Sequence, residues 1–278
     1  MNSISVLEWN IHQQGGSGGG NIPSWVKDEI NGYDIVVFTE FCTRCDRRAT
    51  FISEIEQLGY HCVASDNTGG NDIFIAVKSC FSVTDYAWVS CYGVNAIPEN
   101  LRVDIDCDGQ PLTVMGIRIK TNNNFKVRRQ QFQWALERVG KMKQPVLITG
   151  DFNNGRRRSN NKDWNISIMR DMLEAKEFTL YTPEGSSIYG VENYNGYEFP
   201  DDHFATKKAM ITLYHYDREF TSHDPLTYFL GRDFQEPWYP GANEKDLAKV
   251  APPFPDHAIL KGTLHFLCKE SDFSGPSV

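Results

Sequence analysis

The sequence predicts an α/β protein built on two mixed β-sheets rather than on one doubly wound sheet. Three observations carry that expectation. The runs "ISVLEWNI" (4–11), "DIVVFTEF" (34–41) and "VLITGDFN" (146–153) are rich in β-branched residues and apolar on both faces, as strands buried between layers are. Strands and helices alternate in blocks, without the steady βαβα rhythm of a parallel sheet. The chain has 278 residues, 40% of them hydrophobic, enough for a substantial core.

Taken in order, the first strand is followed by the connector "HQQGGSGGGN" and a short helix in "PSWVKDEI", with Ser24 as N-cap. The segment "DRRATFISEIEQLGY" places Phe51, Ile52, Ile55 and Leu58 on one helical face, with Asp46 as a cap and Gly59 as a stop. Then "HCVAS", "DIFIAVK", "NLRVDID" and "LTVMGIRIK" read as consecutive strands, and Asp108-Gly109 supplies hairpin turn chemistry. A helix in "KVRRQQFQWALERVGKMK" turns Phe132, Ala135, Leu136 and Val139 inward. Another in "WNISIMRDMLEAKEF" has Ile168, Met169, Met172 and Leu173 as its buried stripe. Residues 217–255, rich in proline and aromatics but without periodicity, read as a long loop within a single domain spanning 1–278. His223 and Asp224 within it read as incidental surface residues.

Composition narrows the class. There is no apolar run of membrane-spanning length and no signal-peptide pattern at "MNSISVLEWNIHQQ", so a cytoplasmic protein is expected. Seven cysteines at scattered spacing fit free thiols, and Cys42 and Cys45 lack the second pair that a zinc site needs. The formal charge of −8 hides an asymmetry: residues 118–162 hold 12 Lys and Arg against only Glu137 and Asp151, a net +10. A polyanionic partner at that region is the implication.

The chemistry collects at strand ends. Asn10, Glu40, Asp151 and Asn153 each fall at the C-terminal edge of an apolar strand, where open α/β sheets place ligand crevices. A carboxylate such as Glu40 and an amide such as Asn10 are hard oxygen ligands suited to Mg²⁺, with Mn²⁺ able to substitute. Near the C-terminus "FPDHAIL" sets Asp256 and His257 ahead of an apolar strand, pointing to opposite sides.

The motifs "EWNI", "FTEF", "GDFN", "DDHF" and "PDHAIL", in this order and at these distances, resemble the endonuclease/exonuclease/phosphatase superfamily with the DNase I-like fold. The resemblance runs from residue 9 to 260. It implies a four-layer α/β/β/α sandwich, two mixed sheets packed face to face with helices outside, and a hydrolase acting on phosphoester bonds. It further implies that Glu40 and Asn10 hold the metal and that Asp256 is a second acidic group near it. Asp151 matches the residue that orients or deprotonates the attacking water, and Asn153 the amide that hydrogen-bonds the phosphate. Asp202 matches the carboxylate that holds the catalytic histidine, His257, although a one-residue shift would exchange it with Asp201. His203 reads as a packing or supporting residue.

Three departures stand out. Arg118 in "GIRIK" occupies a position where many members carry His or Tyr, and it can clamp a phosphate bidentately but not act as a general acid. Pro255 replaces the usual Ser before the terminal Asp-His, and Asp201 replaces a hydrophobic residue. Arg156, Arg157 and Arg158 follow the "GDFN" strand end directly, and with Arg118, Arg128 and Arg129 they could track a phosphate backbone. The expected function is therefore a Mg²⁺-dependent nuclease. The alternatives are a phosphatase or phosphodiesterase on a small phosphorylated metabolite or lipid head group, and a catalytically silent binding module.

Overall fold

Apolar runs on the strands and apolar stripes on the helices leave few ways to bury both, and the computed structural model shows the one adopted. It describes residues 3–11, 22, 26–41, 48–66, 71–188, 198–217 and 257–267. The strands are β1 (Ile4–Asn10), β2 (Ile35–Phe41), β3 (Tyr60–Ala64), β4 (Asp72–Lys78), β5 (Ser82–Ala87), β6 (Glu99–Cys107), β7 (Gln110–Arg118), β8 (Val146–Asp151), β9 (Thr179–Tyr181), β10 (Asp202–Lys207), β11 (Ala209–Asp217) and β12 (Ile259–Phe266). The helices are α1 (Val26–Ile30), α2 (Arg48–Gln57), α3 (Phe125–Val139) and α4 (Ile166–Glu174). The strands form two six-stranded sheets, ordered β11-β12-β1-β2-β4-β3 and β5-β6-β7-β8-β10-β9. Each is mixed: β1–β2 and β7–β8 are parallel pairs and the other pairs are antiparallel.

Alternation along the strands of the second sheet separates two cores. Val103, Val114, Leu147 and Phe204 face the first sheet and join a cluster with Val37, Ile73 and Ile75 that also takes in Val26 and Ile30 of α1 and Phe51 and Ile55 of α2. Met115, Ile117 and Ile148 point the other way, onto Phe132 and Leu136 of α3 and Met169 and Leu173 of α4. The result is the four-layer sandwich. The sheets meet so closely at Gly116 that a Cβ there would stand 2.6 Å from Ile73 Cγ2 and 3.0 Å from Val37 Cγ1.

Local chemistry accounts for the element ends. Asn124 and Asn165 cap α3 and α4 through side-chain oxygens that accept from the backbone N–H groups of Lys126 and Ile168. Asp108 and Gly109 both have positive φ, 55° and 83°, as the tight hairpin between β6 and β7 requires. Gly59, at φ 87°, ends α2. The buried face of α2 is narrower than its spacing suggests, because Leu58 lies beyond the last turn and is 44% exposed. Ser24, Asp46, Cys42, Cys45, Pro255, Asp256, and residues 218–255 with His223 and Asp224, lie outside the described residues. Among the described residues no helix is long and apolar enough to cross a membrane.

Candidate active site

One row of paired residues crosses four adjacent strands of the second sheet. Glu99 of β6 is in register with Arg118 of β7, Arg118 with Asp151 of β8, and Asp151 with Asp202 of β10. Over that row stand Asn10, the last residue of β1, and Glu40 in β2. Two backbone devices aim the carboxylates. The β2–β4 register shifts between Phe38 and Phe41, and Glu40 within that irregularity has φ 51°. Gly150 precedes Asp151 at φ 139°, and a Cβ there would lie 1.9 Å from the Ile117 carbonyl oxygen. Just past β8, Asn153 is also left-handed, at φ 45°. Non-glycine residues in this region are uncommon and cluster where a site demands them.

Asp151 is the hub of the site. Its Oδ1 accepts from the Asn153 backbone N–H at 2.8 Å, and its Oδ2 from the Asn153 side-chain amide at 2.7 Å and the Asn10 amide at 3.1 Å. Arg118 Nε lies 3.5 Å from the same Oδ2. Burial, then the Asp202 charge, pushes the Asp151 carboxyl well above the usual carboxylate range, against the pull of His257 and Arg118.

The second group is Asp202 with His257. Asp202 Oδ2 lies 2.6 Å from His257 Nδ1, the histidine carbonyl accepts from Trp9 Nε1 at 2.9 Å, and His257 Nε2 lies 3.5 Å from the Asn10 amide. Asp201 has a different duty: its Oδ1 accepts from the Gly155 N–H at 2.6 Å and so fixes the loop after β8. The ambiguity between the two adjacent acids thus resolves geometrically, with Asp202 on the histidine. Tyr216 Oη donates to the Asp202 carbonyl at 2.6 Å and braces that strand from β11. His203 is wholly buried and supports the same loop, with Nε2 2.6 Å from Asn154 Oδ1 and Nδ1 2.9 Å from Thr182 Oγ1.

The third group is Glu40. Its Oε1 receives Arg118 Nη2 at 2.6 Å and the Asn10 amide at 3.3 Å, while its Oε2 is buried with no hydrogen-bond partner among the described residues. A buried, unsatisfied carboxylate oxygen beside an amide is a donor set that a hard cation fits. Among the described residues no cluster of three His, Cys, Asp or Glu is arranged for a metal, and Asp256 lies outside them.

Two residues escaped the sequence reading. Glu8 is fully buried mid-strand on β1, and burial, then Asp202, pushes its carboxyl well above the ordinary range. Neither of its carboxyl oxygens has a hydrogen-bond partner among the described residues. The signal was an acid inside an apolar run. Glu99 is also buried, and its Oε2 pairs with Arg118 Nη1 at 3.2 Å. At the first position of its strand it gave no periodic signal.

The arginines divide. Arg118 is internal and holds three carboxylates rather than facing out as a clamp; burial opposes its charge, but Glu40, Glu99 and Asp151 outweigh that and hold it more firmly protonated. Arg128 donates to the carbonyls of Asn153 at 2.8 Å and Asn122 at 2.9 Å, tying α3 to the site loop. Arg157 pairs with Glu198 and donates to the carbonyls of Pro183 and Gly185. Arg129, Arg156 and Arg158 are exposed.

No protein-family model matches the sequence, and no curated protein matches it. Solved structures share its shape. An endonuclease/exonuclease/phosphatase from Beutenbergia cavernae superposes at TM-score 0.65 with 15% identity, covering 96% of this chain and 72% of that one. TDP2 of D. rerio, complexed with a single-strand DNA product, superposes at 0.61 with 10% identity over 95% of this chain and 100% of that one. The human Nocturnin catalytic domain, with a bound sulfate anion, gives 0.60 and 13% over 95% and 93%. The chain has the fold of the endonuclease/exonuclease/phosphatase superfamily.

Proposed function

We propose that the chain is a metal-dependent phosphoesterase whose substrate is a phosphodiester in nucleic acid. The observation that supports this most is the meeting of Asp151 with Asn153, Asp202 with His257, and Glu40 with Asn10 at one end of the two sheets. Asp151 takes the proton of the attacking water, its position fixed by Asn153 and Asn10. His257, held at Nδ1 by Asp202, presents Nε2 to a non-bridging phosphate oxygen, where its charged form stabilises the transition state. Asn153 hydrogen-bonds the phosphate. Glu40 and Asn10 would hold Mg²⁺ or Mn²⁺, which supplies positive charge to the phosphate oxygens when bound.

Nucleic acid is favoured over other phosphoesters by the exposed Arg129, Arg156 and Arg158 within the +10 segment, and by the likeness to a protein solved with a single-strand DNA product. A compact phosphorylated metabolite is the second reading, favoured by the internal placement of Arg118, Arg128 and Arg157. The presence and convergence of all three chemical groups argue against a silent binding module.

The test is cleavage of labelled single- and double-stranded DNA and RNA with Mg²⁺ or with EDTA, comparing the wild type with His257→Ala. Metal-dependent cleavage lost in the variant is expected. Absence of cleavage on every nucleic acid, together with metal-dependent phosphate release from small esters, would replace the first reading with the second.

A further inference from the structure

Three carboxylates converge on one part-buried guanidinium. Glu99 meets Nη1 of Arg118 at 3.2 Å, Glu40 meets Nη2 at 2.6 Å, and Asp151 lies 3.5 Å from Nε. Counted as ionised, the three carboxyls leave a charge deficit of two, and burial together with the neighbouring carboxylates pushes the Asp151 and Glu99 carboxyls above their ordinary range. Glu40 is also the carboxylate whose other oxygen has no partner among the described residues. A divalent cation on Glu40 would remove the deficit, yet it would sit against the like charge of Arg118 Nη2.

Glu99 makes both occupancies compatible. It is the in-register neighbour of Arg118 on β6, across β7 from Asp151 on β8, and it grips a different nitrogen from the one on Glu40. The planar fork of arginine allows one edge to stay anchored while the other lets go.

We propose that Arg118 and a divalent cation exchange on Glu40, with Glu99 as the anchor that retains the guanidinium when Nη2 is displaced. The released edge then faces the phosphate beside Asp151, so that Arg118 is a counter-ion to the site when metal is absent and a phosphate ligand when metal is present. Glu99 is a positioning residue acting through Arg118. This inference rests on the metal-dependent reading above.

The test is calorimetric titration of Mn²⁺ into the full chain, stripped of metal beforehand, for the wild type, Glu40→Gln, Arg118→Met, Arg118→Lys, Glu99→Gln and the Glu99→Gln/Arg118→Met double variant. Removing the competitor in Arg118→Met should tighten Mn²⁺ about tenfold or more. Glu99→Gln, which leaves Arg118 to lean on Glu40 and Asp151 alone, should weaken it about tenfold. In the double variant the Glu99 effect should vanish, because Glu99 has nothing left to hold. If Arg118→Met does not fold, Arg118→Lys keeps the charge without the fork and should still bind Mn²⁺ more tightly than the wild type. Mn²⁺ binding that depends on Glu40 but is indifferent to Arg118 and Glu99 overturns the exchange and leaves the phosphoesterase reading standing. Absence of Mn²⁺ binding in every protein, wild type included, overturns both.

Discussion

Asp151 and Asp202 lie directly opposite one another on the antiparallel strands β8 and β10, yet their side chains serve different partners. Asp202 takes the Nδ1 edge of His257, while Asp151 collects donors from Asn153, Asn10 and Arg118. Two carboxyls paired across adjacent strands thus meet different neighbours.

Replacing Asp202 with Asn keeps the shape and removes the charge that orients His257. The variant should lose about 10²–10⁴ in kcat with KM little changed, since the loss falls on the transition state. Steady-state hydrolysis of a chromogenic phosphodiester measures it. A kcat within twofold of wild type would remove Asp202 from the mechanism.

His203 makes acid stability testable. Burial pushes its imidazole down to about 3, and as the neutral ring it donates from Nε2 to Asn154 while accepting from Thr182. Its folded pKa lies below the ordinary 6.5, so the unfolded chain binds the extra proton between those values. The contribution of His203 is fully present above about pH 6.5 and is lost as pH falls toward 3. Each pH unit inside that window costs up to about 1.4 kcal/mol. Urea unfolding of His203→Gln over the same window should show a shallower acid slope than wild type; parallel slopes would contradict the assignment.

The sequence displayed the strand ends more clearly than the strands. Asn10, Glu40 and Asp151 stood out because each is a polar break after an apolar run. Strand β5, "SVTDYA", did not, because it sits at a sheet edge and is exposed along nearly its whole length, so no alternation marks it. In β11 the pairing with β12 slips between Thr212 and His215, and Leu213 takes φ 52°, which breaks the period-two pattern. Charge counting located the basic segment but could not say which arginines face outward. That depends on long-range partners such as Glu198 for Arg157, 41 residues away.

Gly150 sets the angle at which Asp151 enters the site. At φ 139° with the Ile117 carbonyl 1.9 Å from any added Cβ, no alanine fits without moving β7 from β8. Gly150→Ala should destabilise the fold by about 2–4 kcal/mol, a fall in melting temperature of roughly 5 °C or more, and depress activity in the residual folded protein. Differential scanning calorimetry decides it. An unchanged melting temperature would show that the strand end relaxes freely.

The triple arginine separates into two experiments because its members face different ways. Arg156 and Arg158 are exposed, Arg156 with its guanidinium carbon 5.7 Å from the centre of the Phe199 ring, whereas Arg157 fastens Glu198 and two loop carbonyls. A phosphate backbone beside this loop would meet the outer pair. Arg156→Ala/Arg158→Ala should therefore reduce the slope of log affinity against log salt for a single strand by roughly 1.4, about 0.7 for each phosphate no longer neutralised. Arg157→Ala should do the reverse, lowering the melting temperature while leaving the salt slope near wild type, because the charge removed is already neutralised within the fold. Fluorescence anisotropy across a salt series, with EDTA present to prevent cleavage, reads the first effect and thermal unfolding the second. If the double variant binds with the wild-type slope, the nucleic acid does not run along this loop and the basic segment serves another face of the protein.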